Sequence, residues 1–305
     1  MNAVIETKNL SHCFGKVWAV RNLSLKIPTG SVSALLGPNG AGKTTTIKML
    51  MGLIRPSGGQ ALVFGKESVR LGPNEFARIG YVSENQKLPE WMTVQELIDF
   101  CRPMYPSWDP ELCRQLIQRF DLPLTSKLKS SSRGTRIKAM LLTSLAYRPE
   151  LVVLDEPFGG LDTVVREEFV RGLLELSGRH EWTLLISSHD IDEVERLVDW
   201  VGLIDRGTLR LMESTASLRR RHRRLELTMK QGQEPIGPIP ASWLLSESTG
   251  RVFRFVDSDF DEESARHRIQ RIFPEAKETT ISQMSLRAIY SAAAQTWRSE
   301  AKERP

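Results

Sequence analysis

GPNGAGKT, residues 37–44, is the stretch on which the fold turns. It has the spacing G-x-x-x-x-G-K-T. SVSALLG (31–37) precedes it as a strand, and TTTIKMLMGLI (44–54) follows with Ile47, Leu50, Met51 and Ile54 at helical spacing. A strand before and a helix after give the pattern a physical meaning. Gly37, Pro38, Asn39, Gly40, Ala41 and Gly42 form a loop whose glycines let backbone N–H groups converge on phosphate oxygens. The helix N-terminus adds roughly half a positive charge. Lys43 bridges the outer phosphates, and the Thr44 hydroxyl is a magnesium ligand. The motif implies a site for a nucleoside triphosphate.

A second run, LVVLDEP (151–157), completes the chemistry such a site needs. LVVLD is continuously apolar until its last residue, as expected of a buried parallel strand. A carboxylate at its end, Asp155, is costly unless it organises a cation, here Mg²⁺ through the water or ligands around it. Glu156 can turn toward the terminal phosphate and polarise a water. The bland alternative is a pair of solvated acids at a strand end.

Outward from these runs, residues 1–213 alternate strands and helices, which implies an α/β domain with a mainly parallel sheet. Asp162 is placed to cap a helix reaching about Ser177, WTLLISS (182–188) reads as a buried strand, and IDEVERLVDW (191–200) as another helix. Between about 85 and 148 the strand signals fade; VQELIDFC (94–101), PELCRQLIQRF (110–120) and RIKAMLLTSLAY (136–147) form a helical insertion. Residues 214–305 read as a small α+β appendage, with strands around STG (248–250), a helix over 261–273, a strand near 276–282 and a final helix over 285–297.

Of 305 residues, 40% are hydrophobic and 26% charged, so a sizeable core needs no disulfide or metal to hold it. Three dispersed cysteines, Cys13, Cys101 and Cys113, point to a reducing compartment and no structural zinc. No apolar run approaches the roughly 18 to 20 residues of a spanning helix, and the N-terminus has no basic-then-apolar leader. Channel and secreted classes are thereby excluded. Any work at a membrane is expected from the cytoplasmic side, through a partner. The net charge is +5, with 16 basic and 12 acidic residues from Ser214 onward.

With GPNGAGKTT, LVVLDEP, GGLD and SSHD in this order, residues 4–213 resemble the ATP-binding cassette (ABC) family, specifically the ATP-binding subunits of bacterial ABC transporters. The resemblance implies a P-loop NTPase (ABC ATPase) α/β domain with a helical subdomain, beside the C-terminal α+β domain. ATP and Mg²⁺ are the implied ligands, and the loop through Thr45 is the implied phosphate cradle. Phe14, in HCFGK, falls where an aromatic stacks on adenine, unless it is a core residue. Ser132, Arg133 and Gly134 fall in the signature loop, which caps the nucleotide held by the other cassette. Asp162 falls in the loop between the two sites, and His189 matches the histidine that senses the γ-phosphate. Glu156 is the implied general base.

The chain departs from the family pattern L-S-G-G-Q at Ser131, Arg133 and Thr135, and from its Q-loop glutamine at Glu84. The signature reads S-S-R-G-T (131–135), with Arg133 in place of a glycine, and the Q-loop position is Glu84, a carboxylate still able to accept at Mg²⁺ or its water. The implied working unit is a homodimer, or a heterodimer with a second ABC subunit, around two Mg-ATP, driving a separate transmembrane permease subunit from the inner face of the cell membrane. The alternatives are a non-transport ABC ATPase or a regulatory cassette with impaired hydrolysis. The run RRRHRR (219–224) reads as a solvated helix end or as a contact for anionic lipid. No nucleic-acid motif is present.

Overall fold

The computed structural model describes residues 2–84, 86–161, 163–177, 182–230 and 234–303; Asp162 lies outside them. The chain forms two compact units, Met1–Met212 and Glu213–Pro305.

The first unit begins with antiparallel strands that the alternating strand–helix reading did not anticipate. β1 (Ala3–Phe14) pairs with β2 (Val17–Leu23) and with β3 (Lys26–Pro28). Next come β4 (Val32–Leu36), buried at every residue, and α1 (Lys43–Leu50). β5 (Gly58–Val63) and β6 (Lys66–Glu67) return to the antiparallel sheet, ordered β2-β1-β5-β6 with β3 also on β1. A short α2 (Pro73–Phe76) leads into β7 (Ile79–Ser83). Three helices follow: α3 (Val94–Cys101), α4 (Pro110–Arg119) and α5 (Arg133–Leu145). The chain then runs through β8 (Leu151–Asp155), α6 (Thr163–Ser177), β9 (Thr183–Ser188), β10 (Trp200–Asp205) and β11 (Thr208–Ser214).

The second sheet is ordered β11-β10-β4-β9-β8-β7, and its neighbours from β10 to β7 run parallel. The apolar runs of β4, β8 and β9 suit strands covered on both faces. Leu35, Val153 and Leu185 from this sheet join Ile5, Leu10, Leu23 and Val63 from the antiparallel one in a single core that includes Ile47 and Leu50 of α1. Each such side chain contributes about 1.5–3 kcal/mol by leaving water. The register aligns the carboxyl ends: Leu36 is opposite Ser188, Asp155 opposite Ser187, and Ser83 opposite Asp155. That edge is where ligands of open parallel sheets bind.

The helices of the insertion start where their caps dictate. Thr93 and Glu96 form a capping box on α3, the Asp109 carboxylate accepts from Glu111 and Leu112 N–H on α4, and Ser132 Oγ accepts from Thr135 N–H on α5. The buried Tyr147 hydroxyl donates to Ile79 carbonyl at 2.7 Å, fastening the end of this segment to β7; burial pushes the Tyr147 hydroxyl pKa up.

Two helical expectations are corrected. The helix expected over 44–54 ends at Leu50, because Gly52 at φ +65° turns the chain. The helix expected over 191–200 is a single short turn at Ile191–Glu193. Ile191, Val194, Leu197 and Val198 are buried at helix-like spacing, but Asp199 is claimed by the sheet. Its N–H donates to Val32 carbonyl at 2.7 Å and its carboxylate accepts from Val32 N–H at 2.9 Å, so Trp200 must begin β10.

In the second unit, α7 (Thr215–Arg221) is followed by β12 (Arg223–Thr228), β13 (Trp243–Thr249), β14 (Val252–Asp257), α8 (Glu262–Ile272), β15 (Glu278–Gln283) and α9 (Leu286–Glu303). The antiparallel sheet is ordered β13-β14-β12-β15, and Leu225, Leu227, Phe253 and Phe255 pack with Ile269, Ile272 and Phe273. The RRRHRR run is a helix end solvated in part: Arg219 and Arg220, in the last turn of α7, and Arg224 are exposed, whereas its middle is engaged. Arg221 pairs with Glu213 at 2.7 Å and donates to Ser258 carbonyl at 2.5 Å, His222 is buried, and Arg223 starts β12 with its guanidinium 5.4 Å from the Phe260 ring centre.

Candidate nucleotide-binding site

The carboxyl ends of β4, β8 and β9 carry the polar residues the sequence marks out. The loop from Gly37 to Gly42 leaves β4, and its glycines are required either by space or by backbone. A Cβ on Gly37 would lie 2.2 Å from Ile204 carbonyl oxygen, and one on Gly42 2.5 Å from Ala19 carbonyl oxygen. Gly42 holds φ +105° and Gly40 φ +78°, conformations that only glycine adopts without strain. Gly42 is also the N-cap of α1, and no side chain accepts there; the first turn contains no acid. The amides of Lys43, Thr44 and Thr45 therefore open the helix without a competing side-chain acceptor, as an anion cradle requires. Pro38 carbonyl accepts from Ala41 N–H at 3.1 Å, closing the turn through Asn39. We expect Gly42→Ala to lower stability by about 2 kcal/mol or more, from the clash and the positive φ together. A urea titration checks it.

Lys43 is 4% exposed, and its ammonium spends its three protons inside the protein. Nζ donates to Gly37 carbonyl at 2.7 Å and to Pro38 carbonyl at 3.2 Å, and pairs with Glu156 Oε1 at 2.9 Å. Buried ion pairs hold only when the remaining donors are satisfied, and here they are. Glu156 Oε2 meets His189 Nδ1 at 2.8 Å. Glu156 itself sits at φ +51°, an unusual conformation for a residue with a Cβ. That backbone points to a positional demand at the end of β8.

Asp155 is 2% exposed. Its Oδ1 accepts from Thr44 Oγ1 at 3.0 Å and from Ser187 Oγ at 2.7 Å. Burial pushes its carboxyl above the ordinary value, and the two hydroxyl donors offset part of that push. A hydroxyl and a carboxylate oxygen side by side form a hard-oxygen donor set suited to Mg²⁺, which keeps most of its waters. Thr44 and Asp155 are thus in contact. Glu84, the third residue expected at the metal, touches Asp155 through main chain only, its N–H donating to Asp155 carbonyl at 3.0 Å. Its carboxylate is bonded to Arg133.

The remaining expected residues are distributed around this centre. His189 is half-exposed at the end of β9. Phe14 is 54% exposed and meets His12 edge-on at 4.5 Å. It is therefore not a core residue, and its hairpin partner β2 lies against Gly42 through Ala19 and Val20. Ser132, Arg133 and Gly134 open α5; the Ser132 hydroxyl is 2.9 Å from Thr135 Oγ1, and Gly134 is buried beside Val165.

Sequence reading passed over two supports. Ser187 donates to Asp155 and accepts from Glu156 N–H at 2.9 Å, so one hydroxyl sets both acids. Glu193 is 6% exposed, accepts from Ser188 Oγ and lies 3.3 Å from Arg166 on α6. Ser188 carbonyl in turn accepts from Gly37 N–H at 3.3 Å. The available signal was two serines ending an otherwise apolar strand, where polar residues need partners.

This geometry agrees with known proteins. A family profile described as ABC transporter matches residues 20–159. An ABC transporter ATP-binding protein of Bacillus subtilis (strain 168), YtrB, is 30% identical over 206 residues, 68% of this chain and 70% of its own length. The chain belongs to the ABC transporter family. Within it, this protein is an ATP-binding subunit of the ABC ATPase type. A bacitracin transport ATP-binding protein, BcrA of Enterococcus faecalis, is 28% identical over 280 residues, 88% of this ABC chain and 90% of its own length. A solved ATP-binding subunit of an ABC transporter superposes with a TM-score of 0.64 at 26% identity, covering 71% of this chain and 92% of that one. Among the described residues, no helix is long and apolar enough to cross a membrane.

Proposed function

We propose that this ABC subunit binds Mg-ATP at the β4–α1 loop, hydrolyses it with Glu156 as general base, and works as one of two cassettes that drive a transmembrane permease. The observation that carries the reading is the convergence of Lys43, Glu156 and His189, beside Thr44 and Asp155, at the aligned ends of β4, β8 and β9.

Lys43 and the loop amides would hold the β- and γ-phosphates, and Phe14 the adenine by stacking. Thr44 and Asp155 would hold Mg²⁺, which supplies positive charge to the phosphate oxygens when bound. Because Lys43 is already saturated, phosphate enters by exchange: its oxygens replace Glu156 and the loop carbonyls as acceptors. That exchange frees Glu156 Oε1 to take a proton from water as the water oxygen bonds to the γ-phosphorus and the bond to ADP breaks. His189, bonded to the other oxygen of Glu156, orients the carboxylate and responds to the γ-phosphate. Asp162 belongs to this reading as the residue between paired sites.

The second cassette, a copy of this chain or a related ABC subunit, supplies the opposing Ser132–Gly134 loop. Transmembrane coupling is supported by the helical insertion. Trp91, Phe100 and Met104 are exposed there by half or more, and a cavity of about 490 Å³ lies between Gln86, Lys87 and Leu88 on one side and Arg136, Ile137 and Met140 on the other. Large exposed apolar side chains suit a protein partner. The position of such a subunit is the cytoplasmic face of the membrane. Arg221, His222 and Arg223 are engaged within their own unit, while Arg219, Arg220 and Arg224 stay exposed, and these three are the cations an anionic lipid would meet.

The test is equilibrium binding of ATP to the purified chain with and without Mg²⁺, followed by capture of membrane proteins from detergent extract. Retention of ATP and recovery of a multi-span protein are expected. A chain that retains no adenine nucleotide overturns the reading.

A further inference from the structure

Two of the positions that depart from the family pattern, Arg133 and Glu84, meet in space. Arg133 and Glu84 are 49 residues apart, yet a guanidinium nitrogen of one donates to the carboxylate of the other. Arg133 also lies along the turn that follows Glu156. A Cβ on Gly160 would come within 2.8 Å of its Nη1 and 3.0 Å of its Cζ, and a Cβ on Gly159 within 2.9 Å of Glu84 Oε1. These two glycines leave the space in which the ion pair sits. The tie therefore joins three parts of the molecule: the start of α5, the end of β7, and the segment leaving β8. Through Glu84 N–H it is one hydrogen bond from Asp155.

We propose that Arg133 and Glu84 form a latch within one chain that withholds Arg133 from the nucleotide of a second copy of this chain, and that the latch opens as the two copies close on ATP. This rests on the two-cassette reading above. The pair is suited to opening. Its side chains are 40% and 35% exposed, so water and counterions weaken it. A guanidinium released from a carboxylate can take two phosphate oxygens at once. Carboxylate and phosphate thus compete for one group, and the strength of the tie sets how much ATP closure requires.

The test uses the full chain carrying Glu156→Gln, so that bound ATP persists, and reads the ATP concentration for half-maximal dimer by sedimentation. Adding Glu84→Gln is expected to lower that concentration by up to about fivefold, the upper end for an exposed ion pair, and the shift is expected to shrink with salt. In an Arg133→Ala background, Glu84→Gln is expected to change nothing. Glu84→Ala is the second variant, with the same expectation. An unchanged or raised ATP requirement overturns the latch, as does a shift that persists without Arg133. ATP retention without any dimer also overturns it, because no second copy then closes. Failure of every variant to retain ATP falls instead on the nucleotide reading.

Discussion

Glu156→Gln should bind ATP with close to normal affinity, turn it over about 10²–10⁴-fold more slowly, the range for removing a general base, and hold the ATP-bound state. The substitution is nearly isosteric. The new side chain can still accept from Lys43 with its amide oxygen, though without the charge, and can still meet His189. What it cannot do is take a proton. Loss of the charge opposite Lys43 has a second effect in the same direction, since phosphate no longer competes with a carboxylate for that ammonium. Single-turnover hydrolysis together with nucleotide titration separates the two. Fast single-turnover cleavage in this variant would remove Glu156 as the base and leave its ion pair with Lys43 a structural contact.

Asp155→Asn should separate function from stability. Turnover is expected to fall about a hundredfold or more, because a neutral amide is a poor partner for Mg²⁺. The fold, however, should become more stable at neutral pH. Burial raises the Asp155 carboxyl above its ordinary 3.8, so the folded state holds that proton more tightly than the unfolded state does. For a group raised in this way, protonation favours folding: its contribution is best at acid pH and is lost as pH rises through the folded value. At neutral pH the ionised group therefore weighs against the fold. Asparagine keeps the oxygen that accepts from Thr44 and Ser187 without that charge. Melting temperatures of the two proteins should differ in favour of the variant at about pH 7 and converge as the pH falls below the ordinary carboxylate range. A variant that melts lower at neutral pH would show that the hydroxyl donors outweigh burial. Such a gain on removing a working residue is the usual relation between activity and stability.

How much of this was legible in the sequence depended on how local the cause was. LVVLD is strand β8 residue for residue, because an unbroken apolar run admits little else once an acid ends it. VQELIDFC is helix α3, because Thr93 and Glu96 box its start. The segment 191–200 misled, since its buried residues do recur at helix-like spacing while the decisive bonds, from Asp199 to Val32, span 167 positions. The sheet of β1, β2, β3, β5 and β6 was passed over for a related reason. Its longest strand bends through register shifts near Leu10 and His12 and its exposed residues do not alternate regularly, so no clean two-residue period survives. Arg221 and His222 looked like solvent-facing charge, and only the three-dimensional position of Glu213 and Ser258 shows otherwise. The motif runs marked the strand ends where polar residues gather. They could not show that Arg133 and Glu84, read separately as two anomalies, are one contact.

The hydrogen bond from Gly37 N–H to Ser188 carbonyl has a mechanical consequence. It fastens the phosphate loop to the strand that presents His189, and Ser187 fastens that strand to Asp155 and Glu156, so the loop and both acids form one bonded block across three adjoining strands. The insertion is tied to this block along the β7 margin, through Tyr147 on Ile79 and Arg133 on Glu84, so a shift of the insertion is felt at the strand next to β8.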